Sequence, residues 1–135
     1  MNAGAMNKLQ GVPADKLTKV YPHLPVDAEQ RKQVPIASGV LDYFPDAIAA
    51  IAEVSYHGNQ QHNPGQPLHW ARGKSTDESD CIIRHFMERG QRDTDGLRHS
   101  AKMAWRALAY LQKELEQELG LPISRGSRSP TPPPS

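Results

Sequence analysis

A single cysteine, Cys81, leaves the 135-residue chain without an internal disulfide or a Cys-rich zinc cluster, and a reducing cytoplasm is its expected home. No apolar run approaches the roughly 20 residues of a membrane span, and residues 1–10 offer no apolar stretch for a signal peptide. Neither sign of charge dominates: 16 basic and 15 acidic residues give +1, so no strong field points to nucleic acid or to an anionic membrane surface. Hydrophobic residues make up 37%, enough for one domain with a modest core that an oligomer would help to complete.

Proline marks both flanks. Residues 1–40 contain Pro13, Pro22, Pro25 and Pro35 among polar residues, which predicts an extended arm rather than long helices. Residues 125–135 read RGSRSPTPPPS, a stretch with nothing to bury, and a disordered tail dispensable for chemistry is expected over 123–135. The interior, 41–122, carries helical periodicity and no period-two strand pattern, so the fold class is all-α, a small bundle of about three helices. The first helix spans 45–57, with Pro45 in its first turn, Ala47, Ile48, Ile51, Ala52 and Val54 as its apolar face, and Gly58 and Asn59 as its stop. Ser75 and Glu78 form a capping box for the second, which Gly90 ends. The third opens at Asp93 to Asp95, carries Ala101, Ala104, Trp105, Leu108, Leu111 and Leu115 on one face, and stops at Gly120 and Pro122.

The polar residues concentrate between these helices. Five of six histidines lie between His57 and His99, with Trp70, Lys74 and the acids Asp77, Glu78, Asp80, Asp93 and Asp95. The loop over 56–75 is long for a small helical domain, and such loops are usually functional. Trp70 beside His69 suits stacking on a planar base or, equally plainly, packing over a helix end. Asp77 and Asp80, three apart, project from one helix face and can converge on Mg²⁺ or Mn²⁺; a solvated first turn fits the same pair. Glu53, amid apolar residues, needs a partner or a metal if partly buried, and His57 is a weaker candidate one turn on. Arg84-His85 and Arg98-His99 form similar pairs, with Lys102 and Arg106 following; these bases can clamp phosphate or bridge the nearby acids. Gly73-Lys74-Ser75 is no Walker site, since no glycine stands at Leu68 and no strand precedes it. The histidines form no HExxH, so zinc would rest on scattered imidazoles alone.

The strings GNQQHNPG, PLHWARGKSTD, RH and DTDGLRHSAKMAWRALAYL, in order from Gly58 to Leu111, resemble the MazZ-like dATP/dGTP diphosphohydrolases of phages, distant members of the all-α MazG-like pyrophosphohydrolases. The resemblance covers about two-fifths of the chain. It implies hydrolysis of dGTP, GTP or dATP to the monophosphate and pyrophosphate, in the host cytoplasm, as a homodimer or homotetramer. Some relatives supply dGMP for 2-aminoadenine synthesis. The wider family places ExxE on one helix and ExxD on the next, and these acids hold two or three Mg²⁺ or Mn²⁺. By that resemblance Glu53 is one ExxE acid, and Asp77 and Asp80 are the ExxD pair. Tyr56 replaces the second glutamate, so either the register differs or Glu78, His57 or a residue within 93–99 supplies the missing ligand. Phosphate contacts then fall to Lys74, Arg84, His85, His99 and Lys102, and base and sugar contacts to the loop of Asn59, His62, His69 and Trp70. Two other classes stay open: an HD-type triphosphohydrolase, although no His-Asp pair is adjacent, and a nucleotide-binding or adaptor protein without turnover.

Overall fold

A computed structural model describes residues 22–74 and 76–128. Helices supply the regular structure, and no strand occurs among the described residues: an isolated bridge between Arg92 and Arg98 is the nearest approach to one. The all-α expectation therefore holds. The chain divides into two compact units, Met1–Pro45 with Lys113–Pro122, and Asp46–Gln112 with Ile123–Ser135.

In the first unit, the arm expected to be extended contains helix α1 (Ala28–Arg31) and a π-helical turn (Ala37–Leu41). Asp27 caps α1 by accepting a hydrogen bond from Gln30 N at 3.1 Å. Pro25 is fully buried, and its carbonyl accepts from Arg31 Nη1 at 3.2 Å. The prolines thus keep helices short without leaving the segment extended.

The second unit holds the candidate site. Helix α2 (Pro45–His62) begins at Pro45 as expected but runs past Gly58 and Asn59. Gly58 is not among the glycines with positive φ, and the Asn59 side chain is occupied by the following loop instead of ending the helix. Ile48, Ile51, Val54 and Ser55 are half-buried and Asn59 is buried, a stripe at three- and four-residue spacing. Helix α3 (Glu78–Met87) has Asp77 at its N-cap with no side-chain capping bond. Glu78 is its first residue, so it does not act as the third residue of a capping box; the other half of that expectation, Ser75, lies outside the described residues. Gly90, at φ +84°, takes the left-handed conformation that carries the chain away from the helix end.

Helix α4 (His99–Leu119) starts four residues later than Asp95. Asp93 and Asp95 do not cap it, because they shape the preceding turn: Asp93 Oδ1 accepts from Thr94 N at 2.7 Å and Asp95 Oδ1 from Leu97 N at 3.0 Å. The helix ends before Gly120, at φ +65°, as expected. The predicted apolar face is only partly covered: Ala101 is buried and Ala104, Trp105 and Leu115 are half-buried, while Leu108 and Leu111 are half exposed. Residues 123–128 correct the disordered-tail expectation. They contain a 3₁₀ turn (Arg125–Ser127) with Ser127 buried, and residues 129–135 lie outside the described range.

Candidate functional site

The loop after α2 is anchored by buried amides. Asn59 donates from Nδ2 to the Gln66 carbonyl at 3.1 Å, and its Oδ1 accepts from Asn63 Nδ2 at 3.1 Å and from His69 N at 3.3 Å. Asn63 Nδ2 also reaches the His69 carbonyl at 3.2 Å. Two asparagines one helical turn apart therefore satisfy backbone groups that helix and strand ladders leave unpaired. The chain end closes the other side: Trp70 N donates to the Gly126 carbonyl at 2.8 Å, and Arg72 Nη1 to Ser127 Oγ at 2.8 Å.

These contacts frame a cavity of about 740 Å³ within the second unit. Its apolar wall includes Val54, Leu68, Trp70 and Trp105. The two indoles meet edge to face at 5.8 Å, and Trp105 Nε1 donates to Ser55 Oγ at 2.7 Å, tying α4 to α2. Arg72 lies 4.5 Å over the Trp70 ring, so packing accounts for much of this tryptophan's surface. Of the candidate substrate contacts, Asn59, His62, His69, Trp70, Lys74 and Lys102 line the cavity. Lys74 Nζ donates to the His62 carbonyl at 2.6 Å. The Nδ1 of His69 is buried without a hydrogen-bond partner among the described residues.

Lys102 has a structural role as well. Its Nζ lies 2.7 Å from Asp93 Oδ2 and 2.8 Å from Asp95 Oδ2. The hydrogen bond from Lys102, aided by Thr94 N, pulls Asp93 from an ordinary 3.8 to about 2. The Lys102 bond lowers Asp95 as well. Burial works against the ammonium of Lys102, but the two carboxylates outweigh it and raise its pKa. Its charge is thus largely neutralised within the chain.

The expected carboxylate centre does not assemble. Glu53 is exposed, because it lies about 200° around α2 from Ile51, away from the buried stripe. Asp77 and Asp80 share a side of α3, but both are exposed, and Asp77 has the Arg84 guanidinium at 3.5 Å, a cation where a metal was expected. That contact also turns Arg84 toward an acid in place of phosphate. Glu78 is buried in the first turn of α3, whose buried stripe continues through Cys81 and His85. Burial raises the Cys81 thiol above its ordinary range, which keeps it protonated and unreactive. These acids therefore do not fit a gathered Mg²⁺ or Mn²⁺ site in this chain.

A different set of ligand atoms does gather. His85 Nδ1, Glu88 and His99 Nδ1 each place a donor atom within 4.8 Å of the others. The imidazole nitrogens are 2.9 Å apart, and His99 Nδ1 is 3.3 Å from Glu88 Oε2. Burial, and then the neighbouring His99 and Lys102, lower the pKa of His85, so its imidazole is neutral at pH 7. Neither histidine lines the cavity, and neither does Arg84, whereas Lys74 and Lys102 do. The spacing of His85 and Glu88, three apart at the end of α3, was a visible signal for one face. The convergence of His99 depends on how the connection between α3 and α4 turns. No protein family, curated protein or solved structure matched the chain in the comparisons.

Proposed function

We propose that this chain hydrolyses purine (deoxy)nucleoside triphosphates between the α and β phosphates, releasing the monophosphate and pyrophosphate. The observation that carries the reading is the cavity of about 740 Å³, a volume within the roughly 300–1,000 Å³ of small-molecule sites. It combines two indoles with Lys74 and Arg106, an apolar wall for a base beside cations for a polyphosphate, while the charge of Lys102 is already met by Asp93 and Asp95. The buried Nδ1 of His69 is a polar atom that a base edge would satisfy. The reaction itself is drawn from the resemblance to dATP/dGTP diphosphohydrolases. No catalytic step is assigned to Glu53, Asp77 or Asp80, since their carboxylates do not converge.

That separation favours a second reading, nucleotide binding without turnover. The deciding assay incubates the protein with each of dGTP, dATP, dCTP and dTTP, plus Mg²⁺ or Mn²⁺, and resolves the products by ion exchange. Purine monophosphate with pyrophosphate is expected. Nucleoside with triphosphate would establish the HD-type reaction instead. Binding of dGTP without any product would leave the non-enzymatic reading standing.

The same proposal includes a homodimer or a dimer of dimers. Ile83, Phe86 and Met87 are 58%, 47% and 74% exposed, and they lie on the side of α3 away from its buried stripe. A second copy would remove that apolar surface from water.

A further inference from the structure

We propose that His85, Glu88 and His99 form a binding site for a transition-metal dication of the zinc type, distinct from the nucleotide cavity and independent of whether the chain turns over nucleotides. The argument rests on donor spacing. With metal–ligand bonds of about 2.0–2.1 Å, two donors at a right angle lie about 2.9 Å apart and two at the tetrahedral angle about 3.3–3.4 Å. The two imidazole nitrogens stand 2.9 Å apart, and the nitrogen-to-carboxylate distance is 3.3 Å. Both separations match neighbouring donors of one ion with irregular geometry, and an ion there would replace the hydrogen bond that the two imidazole nitrogens share without it.

The ligands are held from independent directions. His85 sits in the last turn of α3, Glu88 is its C-cap, and His99 is the first residue of α4. The connection between them is pinned by Asp93 N to the Leu97 carbonyl at 2.7 Å, His99 N to the Gln91 carbonyl at 3.1 Å, and Arg92 Nη1 to the Gly96 carbonyl at 2.8 Å. Such backbone closure fixes ligand positions before an ion arrives. His99 is buried and His85 half-buried, while Glu88 is exposed and leaves a path for entry. The nearby ammonium of Lys102 is held by Asp93 and Asp95, which limits its repulsion of a cation. Two imidazoles and one carboxylate favour zinc, cobalt or nickel over magnesium, which prefers an all-oxygen shell. Three protein donors leave at least one position to water.

The test is equilibrium dialysis of the full chain against Zn²⁺, with Co²⁺ titration followed by visible absorption. One ion per chain is expected, with cobalt bands showing nitrogen ligation. His85→Ala and His99→Ala should each weaken binding by about 100-fold, on the order of what ligand-shell losses cost. Glu88→Gln changes an exposed residue and so keeps the fold; it should weaken binding at least tenfold with an unchanged far-UV circular dichroism spectrum. His23→Gln, a histidine outside the trio, should bind as wild type does. Unchanged affinity in Glu88→Gln and in either histidine variant, or wild-type binding no tighter than that of a His85→Ala/His99→Ala double variant, would overturn the proposal.

Discussion

At the scale of single residues, Lys102 is the most informative side chain, because two carboxylates compete with any ligand for its ammonium. Lys102→Met leaves Asp93 and Asp95 without their shared cation, and a loss of roughly 1–3 kcal/mol at pH 7 is expected. The pH dependence has a definite sign. The folded-state pKa of Asp93 is depressed to about 2, so its contribution is present above the ordinary carboxylate range and is lost as pH falls from about 4 toward 2. Lys102, whose pKa is raised, contributes fully below its ordinary pKa and loses that contribution only as pH rises beyond it. Urea midpoints of wild type and Lys102→Met should therefore differ most between pH 5 and 9 and converge near pH 2. A gap that stays constant down to pH 2 would show that packing of the lysine stem, not the ion pair, is what the substitution removes.

At the scale of elements, α2 illustrates how a helix can be recognised and its end misjudged. Pro45 and the apolar stripe predict its start and its existence, because both signals act within a turn or two. Gly58 and Asn59 look like a stop because glycine and asparagine are poor helix formers. Asn59 is retained inside the helix since its amide makes three hydrogen bonds to the loop over 63–69. Asn59→Ala should lengthen neither helix nor loop but leave His69 N and the Gln66 carbonyl wanting partners, at a cost of about 2–4 kcal/mol. Thermal unfolding measures that loss. Near-UV circular dichroism, dominated by the tryptophans, should show the cavity wall loosening while the far-UV spectrum keeps its helical form. An unchanged unfolding temperature would mean that the loop's other contacts, such as Trp70 N to the Gly126 carbonyl and Arg72 to Ser127, suffice to hold it.

For the whole molecule, the question is what covers the apolar surface that the chain leaves bare. Leu108 and Leu111 on α4 are 50% and 49% exposed, in addition to the α3 residues. Among the described residues no helix is long and apolar enough to cross a membrane. Light scattering at micromolar concentration should return a dimer or tetramer mass, and Ile83→Glu with Met87→Glu should shift it to the single chain while the helical spectrum persists. A monomer in the wild type would remove the proposed assembly and leave the nucleotide assay unaffected.

The sequence by itself determined that the chain is helical, where α2 begins, and that Gly90 and Gly120 lie at helix ends. Each of these follows from interactions among residues a few positions apart. The segment over 59–70 also stood out in the sequence for its length and its histidine and tryptophan content, and much of it lines the cavity. Tertiary structure decided which side of each helix is buried, and with it the exposure of Glu53, Asp77 and Asp80. It brought His99 to His85 and Glu88, and it set residues 124–127 against the loop that carries Trp70. Spacing within one helix orders residues around that helix alone. Convergence between elements depends on the turn that joins them, and the turn at Asp93 to Leu97 is shaped by hydrogen bonds that no periodicity records.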